Sequence, residues 1–347
     1  MSSVQSPFDV PLSFAATHGD GAKETLALRR GASSGTLTRL HRGVYVPSLS
    51  VAGLDARGRH VLLCRAVAAG LGRRCVVSHE SAGAVWALPR VGSLPDVVHV
   101  VDPHRATAQR STHLCRRPGT TDAVDVERIG DLRVTSLVRT ATDIALTGRF
   151  DDAVLCLDAV LRRLVLPQGH DDGPEVDERL ERWRASLSNE LGAPGRRGGT
   201  AARRALAFAS PWAENGGESL LRLALHELGT GEVALQRVLR VDGRDAGRVD
   251  TFLVEHETAV ELDGFVKLTD PAMLAGRSPA DVAREQNRRD HRLLGAPGVR
   301  RVVHCEYADV VHPERLAGHL RRAGVPLDPR HVSSAVRAAA RRFAARA

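Results

Sequence analysis

Between Glu218 and Gly324 the hydrophobic period changes in an order that few folds accommodate. A helix is read from Glu218 to Leu228, and VALQRVLRV, RVDTFLV and TAVELDG then read as three strands. A helix from about Ser278 to Leu294, the strand VRRVVHC and the helix HPERLAGHLRRAG follow. A helix, a run of strands, then strand and helix again predict a mixed α/β sheet.

The rest of the chain is organised differently. With 347 residues there is room for two or three domains, each with its own core. The strand-like DVVHVVD is followed by two amphipathic helices, SLVRTATDIAL and FDDAVLCLDAVLRRLVL. From about 166 to 216 the interruptions QGHDDGPE, GAPGRRGG and SPWAENGG surround two charged helices, a linker pattern. The expected division is 1–90, 91–165, a helical linker at 166–213, an α/β domain at 214–325 and a basic Ala/Arg helix at 326–347. That helix is either frayed or laid on a phosphate backbone. The fold class is α+β and multidomain.

The acidic residues of the α/β domain form the first candidate site. On the strand TAVELDG, Glu261 and Asp263 share one face because side chains alternate. VDTFLVEHETAVELDG reads as a hairpin bending at Glu255 to Thr258, so Asp250 stands opposite 261 or 263 if the register sum is odd and opposite 262 if it is even. An odd register gathers three carboxylates. Like charges that close repel unless a divalent cation lies among them, and hard oxygen ligands select Mg²⁺ or Mn²⁺. Such a cluster serves phosphodiester hydrolysis, usually with a cation to complete it.

Lys23 and Lys267 are the only lysines among 49 basic residues. Lys267 follows the acidic strand closely. Lysine is a compact, titratable ammonium where arginine is planar and permanently charged, which fits a role in the site. A surface ion pair worth under about 1 kcal/mol explains it equally well.

The net charge of +8 and a pI near 10 fit a polyanionic partner such as nucleic acid, although a GC-rich genome writes the same Arg-over-Lys bias. Twelve aromatics argue against a base-stacking platform for single strands. The candidate reader of duplex DNA lies in KETLALRRGASSGTLTRLHRGVYVP. There Ser33 or Ser34 is expected to cap a short helix, Gly35 to His41, with Leu37 and Leu40 inward and Thr38, Arg39 and His41 outward. Arg42 and Gly43 then turn into VYV, a short wing strand. A helix in the major groove flanked by cations on phosphates is the geometry this pattern would supply.

Two resemblances sharpen these expectations. GTLTRLHRGVYV, VVSHESAGAVWALP, LRVTSLVRTATDIA and DDAVLCLDAVLR, in that order over about 15 to 165, resemble the N-terminal part of the AbiEi-like antitoxins of type IV toxin–antitoxin systems. The resemblance implies a winged helix that binds DNA and regulates a phage-defence operon beside a cognate toxin. In SHESAGAVWALP, the residues Ala82, Val85 and Trp86 read as core packing and His79 as structural. GGESLLRLAL, VALQRVLRV, RVDTFLV, AVELDGFVK and AREQNRRDHRLLGAPGVRRVVH, over about 214 to 323, resemble the endonuclease-like domain related to very-short-patch repair enzymes, within the PD-(D/E)XK superfamily.

That second resemblance implies a restriction-endonuclease-like fold with a central mixed sheet. It further implies Asp250, Glu261 and the helix-borne acid Glu218 as metal ligands, and Arg222 and Gln236 as supporting residues. The chain departs from the motif at Glu261-Leu262-Asp263, where Asp263 stands in place of lysine. Lys267 is then a displaced lysine, with Arg288, Arg289 and His291 as other candidate cations. A non-catalytic domain that only holds DNA is the alternative.

Other chemistry is not indicated. GRRGG and GAPG match neither a P-loop nor a GxGxxG turn, and no GxSxG elbow exists. Cys64, Cys75, Cys115, Cys156 and Cys305 are scattered and odd in number, which fits reduced thiols in a cytoplasm. His304-Cys305 is read as a packing pair and not as zinc ligands. No segment approaches the ~20 apolar residues of a membrane span, so a soluble protein with no membrane partner is expected.

Overall fold

A computed structural model describes residues 5–15, 22–71, 75–169, 173–192, 195–241, 243–263 and 279–344. The chain forms two units, one of residues 1–156 and 185–206, the other of 157–184 and 207–347. Both mix helices with sheet, giving a multidomain α+β protein. No helix among the described residues is long and apolar enough to cross a membrane.

The first unit begins with β1 (Ser13–Phe14), α1 (Ala22–Ser33), β2 (Leu37–His41) and β3 (Val44–Pro47), and the strands form a small sheet in the order β1-β3-β2. The helix expected at Gly35 to His41 is therefore a strand. Gly35 takes a left-handed backbone (φ 79°) after α1 has ended. The Arg42-Gly43 turn, open to Gly43 at φ 74°, then folds Leu37–His41 antiparallel onto Val44–Pro47. Pairing with Val44–Pro47 across the glycine turn satisfies the backbone of Leu37–His41 in an extended form.

α2 (Ser48–Ala52), α3 (Ala56–Ala68), β4 (Val76–Val77), α4 (His79–Val85), β5 (Val98–Asp102), β6 (Gln109–Arg110), β7 (Leu114–Pro118), β8 (Val126–Ile129) and β9 (Leu132–Thr135) follow, then α5 (Leu137–Thr147) and α6 (Phe150–Val165). β4 to β9 build one sheet in the order β6-β7-β5-β4-β9-β8. Because β4 pairs with β5, the division expected at 90/91 runs through one sheet. Val61, Cys64 and Val67 of α3 pack with Val77, Ala82, Val85, Val98, Val100, Leu132 and Val134. His79 is buried beside Ser78 Oγ (2.9 Å), and burial pushes its imidazole down to about 2, so it stays neutral.

α7 (Pro174–Glu190) and α8 (Gly199–Phe208) occupy the charged region expected to link the halves. The second unit then runs α9 (Gly216–Leu228), β10 (Val233–Val241), β11 (Arg244–Leu253), β12 (Thr258–Asp263), α10 (Pro279–Leu294), β13 (Arg301–Glu306), α11 (Tyr307–Val311), α12 (Pro313–Arg322) and α13 (Pro329–Phe343). The sheet order is β10-β11-β12-β13, antiparallel except for the parallel pair β12/β13, as the element order predicts. Leu239, Val249, Phe252 and Ala259 of the sheet pack with Leu293 of α10, and with Ala296 and Val299 beyond it.

α9 is buried almost all round, and Gly229 ends it in the left-handed region (φ 72°), where a Cβ would meet the His331 ring. α13 is not frayed, because one of its faces packs on α9. Its Ala335 and Ala339 are buried, and Arg342 reaches Glu227 at 2.5 Å.

Candidate functional site

The acids converge through register. Thr251 pairs with Val260, Phe252 with Ala259 and Leu253 with Thr258, each pair summing to an odd number, so Asp250 lies level with Glu261. On the other side of β11, Asp250 falls between the pairs Leu235/Thr251 and Arg237/Val249, level with Gln236. On β13 the partner of Glu261 is His304. One polar row, Gln236, Asp250, Glu261 and His304, thus crosses all four strands.

Glu218 reaches this row from the first turn of α9. Asn215 caps that helix, accepting from Gly217 N (2.8 Å) and Glu218 N (3.1 Å). In return Glu218 Oε1 accepts from Asn215 Nδ2 (2.7 Å), and Oε2 accepts from Glu214 N (2.7 Å) and Gln236 Nε2 (3.2 Å). Gln236 holds a left-handed backbone (φ 51°) inside a strand, a cost that a residue bears only where its surroundings dictate it. Burial pushes the Glu218 carboxyl up to about 7, against the Glu214 amide bond and with the Asp250 charge adding to the rise.

Glu261 is buried at 4 % exposure. Its Oε2 accepts from Arg289 Nη1 (2.8 Å), and Arg289 Nη2 donates to Arg248 O (2.8 Å). Its Oε1 is buried with no hydrogen-bond partner among the described residues. Burial first, then the Asp250 charge, raises this carboxyl, while Arg289 opposes the shift. Asp250 is therefore felt by both glutamates.

Asp263 Oδ2 lies 3.1 Å from His304 Nδ1, and Asp290 Oδ2 lies 2.9 Å from His304 Nε2. Gln286 Nε2 donates to the same Asp263 oxygen (3.3 Å) and lies 3.0 Å from Nδ1.

The expected residues thus divide. Glu218, Asp250, Glu261, Asp263 and Gln236 gather, and of the candidate cations on α10 it is Arg289 that bonds Glu261. Arg222 does not join them. It pairs with Asp158 through Nη2 (2.8 and 2.9 Å), donates to Phe208 O (2.7 Å) and stacks over the Phe208 ring. Lys267 lies outside the described residues. The packing role expected of His304-Cys305 holds for Cys305, which is buried, and fails for His304. Gln286, Asp290 and His304 have no signal in local spacing, because α10 and β13 meet β12 only in the folded sheet.

Among the described residues no group of three or more His, Cys, Asp or Glu side chains is arranged to hold a metal ion. Asp250 lies level with Glu261, and one buried Glu261 oxygen has no hydrogen-bond partner among the described residues, whereas both Glu218 oxygens are engaged by the cap and by Gln236.

In the first unit, Thr38, Arg39, His41 and Arg42 sit on the β2/β3 hairpin and its turn. Thr38 Oγ1 bonds Ser48 Oγ (2.9 Å), and His41 is edge-on to His113 at 6.0 Å. Arg39 and Arg42 are exposed, and with Arg29, Phe14 and Tyr45 they line a cleft of about 710 Å³. Beside them α1 has no buried residue and exposes Lys23, Arg29 and Arg30. The sequence signal for α1 was the run KETLALRRGAS, which falls just before the segment expected to be helical.

No family model matches the chain, and no curated protein matches it. Among solved structures it is similar to the RV2827C protein from Mycobacterium tuberculosis, with 16 % identity over 57 % of this chain and 76 % of that one and a TM-score of 0.31. A likeness at that level carries no argument about function.

Proposed function

We propose that the protein binds DNA through its N-terminal module and hydrolyses a DNA phosphodiester in its C-terminal unit, as a PD-(D/E)XK-like nuclease. The observation that carries this reading is the odd register of β11 and β12, which sets Asp250 against Glu261 with Glu218 behind them. Like charges brought this close oppose folding, so their gathering asks for a function. Asp250 and Glu261 would hold Mg²⁺ or Mn²⁺, which when bound supplies Lewis-acid activation of water and neutralises charge on the phosphate. Glu218 and Gln236 fix the inner wall of the site, and Arg289 orients Glu261. Cations of α1 and of the Arg42 turn would lie along the duplex backbone.

Nicking of supercoiled plasmid with Mg²⁺ or Mn²⁺ tests the enzyme. Wild type should cut, and Asp250→Ala and Glu261→Ala should not. No cleavage of duplex, mismatched or branched DNA by wild type sinks the nuclease reading.

The Arg289 bond to Glu261 and the fully engaged Glu218 favour a second reading, a regulatory antitoxin of a type IV toxin–antitoxin operon whose C-terminal unit only contacts DNA or a cognate toxin. In either case Arg39→Ala and Arg42→Ala should weaken DNA binding and flatten its logarithmic salt dependence by about 0.9 for each phosphate the variant no longer neutralises. An unchanged slope would remove the hairpin from the DNA interface.

A further inference from the structure

The first unit disposes of its arginines in two ways. Arg65, Arg116 and Arg139 each hold a carboxylate, Asp131 at 2.9 Å, Asp102 at 2.7 Å and Asp125 at 2.9 Å. Arg29 of α1, Arg39 of β2 and Arg42 of the hairpin turn form no ion pair among the described residues. Their side chains make one long hydrogen bond there, from Arg39 Nε to His41 O at 3.4 Å. All three line the cleft of about 710 Å³, and no acid is among the described residues that line it. Like charges gathered in one concavity repel, and its low-dielectric walls focus their field on whatever enters.

The same cleft has an apolar side. Val44, Tyr45 and Ala66, all buried, contribute to it, and so does Phe14, which is 56 % exposed. A lone exposed ring on a surface is ordinary. In a cleft of small-molecule size, beside three unpaired guanidiniums, that ring adds an aromatic face to a set of anion donors. An inorganic anion would use the arginines alone, and an apolar ligand the ring alone. A nucleotide uses both.

We propose that this cleft holds a single nucleotide, with its phosphate on Arg29, Arg39 and Arg42 and its base on Phe14. The nucleotide is either free in solution or unpaired within a strand, and the contacts are the same. A duplex keeps its bases paired and stacked, so it offers the exposed arginines only its phosphates. Bound nucleotide and duplex DNA therefore compete for Arg39 and Arg42, and that competition rests on the DNA-binding reading, whereas the cleft does not.

The test uses the full-length protein and calorimetric titration with the nucleoside monophosphates of the DNA bases, beside inorganic phosphate and the matching nucleosides. At least one monophosphate should bind, and phosphate or nucleoside alone should bind at least about tenfold more weakly. Arg29→Ala and Arg39→Ala should each weaken the monophosphate by about tenfold or more, the scale of a charged hydrogen bond. Phe14→Ala should weaken it by about tenfold, the scale of one stacked base, and Phe14→Trp should retain it. These side chains are exposed, so the replacements leave the core intact. A single-stranded oligonucleotide that binds more tightly than any monophosphate, with the same loss in Phe14→Ala, places the nucleotide in a strand. The reverse order makes it a free nucleotide. In a second assay the tightest of these ligands should displace labelled duplex from the protein.

The proposal is overturned if neither monophosphate nor strand binds at millimolar concentration, if inorganic phosphate binds as tightly as the nucleotide, or if Phe14→Ala binds as wild type does. Duplex retained at saturating nucleotide overturns the competition. Nucleotide binding without duplex binding would sink the DNA-binding reading and leave the cleft standing, and duplex binding without nucleotide binding would do the opposite.

Discussion

Two arginine–carboxylate pairs in the second unit look alike in sequence and differ in kind. Arg222 and Asp158 are both buried, and the Asp158 oxygens are taken up by Arg222 and by Ser210 N (2.8 Å). The Arg289–Glu261 pair is as short, at 2.8 Å. There, however, the guanidinium is 38 % exposed, and the second glutamate oxygen is buried with no hydrogen-bond partner among the described residues and close enough to Asp250 to feel its charge. A carboxylate whose lone pairs are all answered is part of the scaffold. One with an oxygen unanswered among the described residues, beside a like charge, is a candidate for a site.

The largest test of this contrast is Asp158→Ala. It strands a buried guanidinium and should cost about 3–5 kcal/mol in denaturant unfolding. A loss below about 1 kcal/mol would show that the Arg222 pair is no more structural than a surface bridge.

Glu261→Gln should behave in the opposite way. It removes a charge that Asp250 repels and leaves Arg289 open to solvent, so stability should stay within about 1 kcal/mol of wild type while nicking is lost. A destabilisation equal to that of Asp158→Ala would erase the distinction between the pairs.

The smallest effect concerns pH. Glu218 titrates near 7 in the folded protein against an ordinary value of 4.5, so the folded state holds its proton more tightly than the unfolded one. That contribution to stability is complete below about pH 4.5 and is lost as pH rises through about 7. Because the Asp250 charge is one cause of the shift, Asp250→Asn should flatten this decline in a series of unfolding curves. An unaltered decline would mean that burial and the Glu214 charge set Glu218 without Asp250.

Much of the second unit was legible from residue order. The helix expected from Glu218 to Leu228 spans Gly216–Leu228, VALQRVLRV became the strand Val233–Val241 as expected, and the helix expected from about Ser278 begins at Pro279. Alternation placed Glu261 and Asp263 on one face of β12. It also reduced the position of Asp250 to two registers. The first unit was less readable at TLTRLH, where a five-residue segment takes its form from the strand it pairs with.

By itself the sequence determined the order of elements, the faces of each strand and the set of acids, because those depend on periodicity within a segment. Tertiary structure decided the odd register of the hairpin and the capture of Glu218 by its own helix cap. It also decided the arrival of Arg289, Asp290 and His304 at β12. Each joins residues that local pattern treats separately, and that pattern carries no term for the partner a side chain will meet.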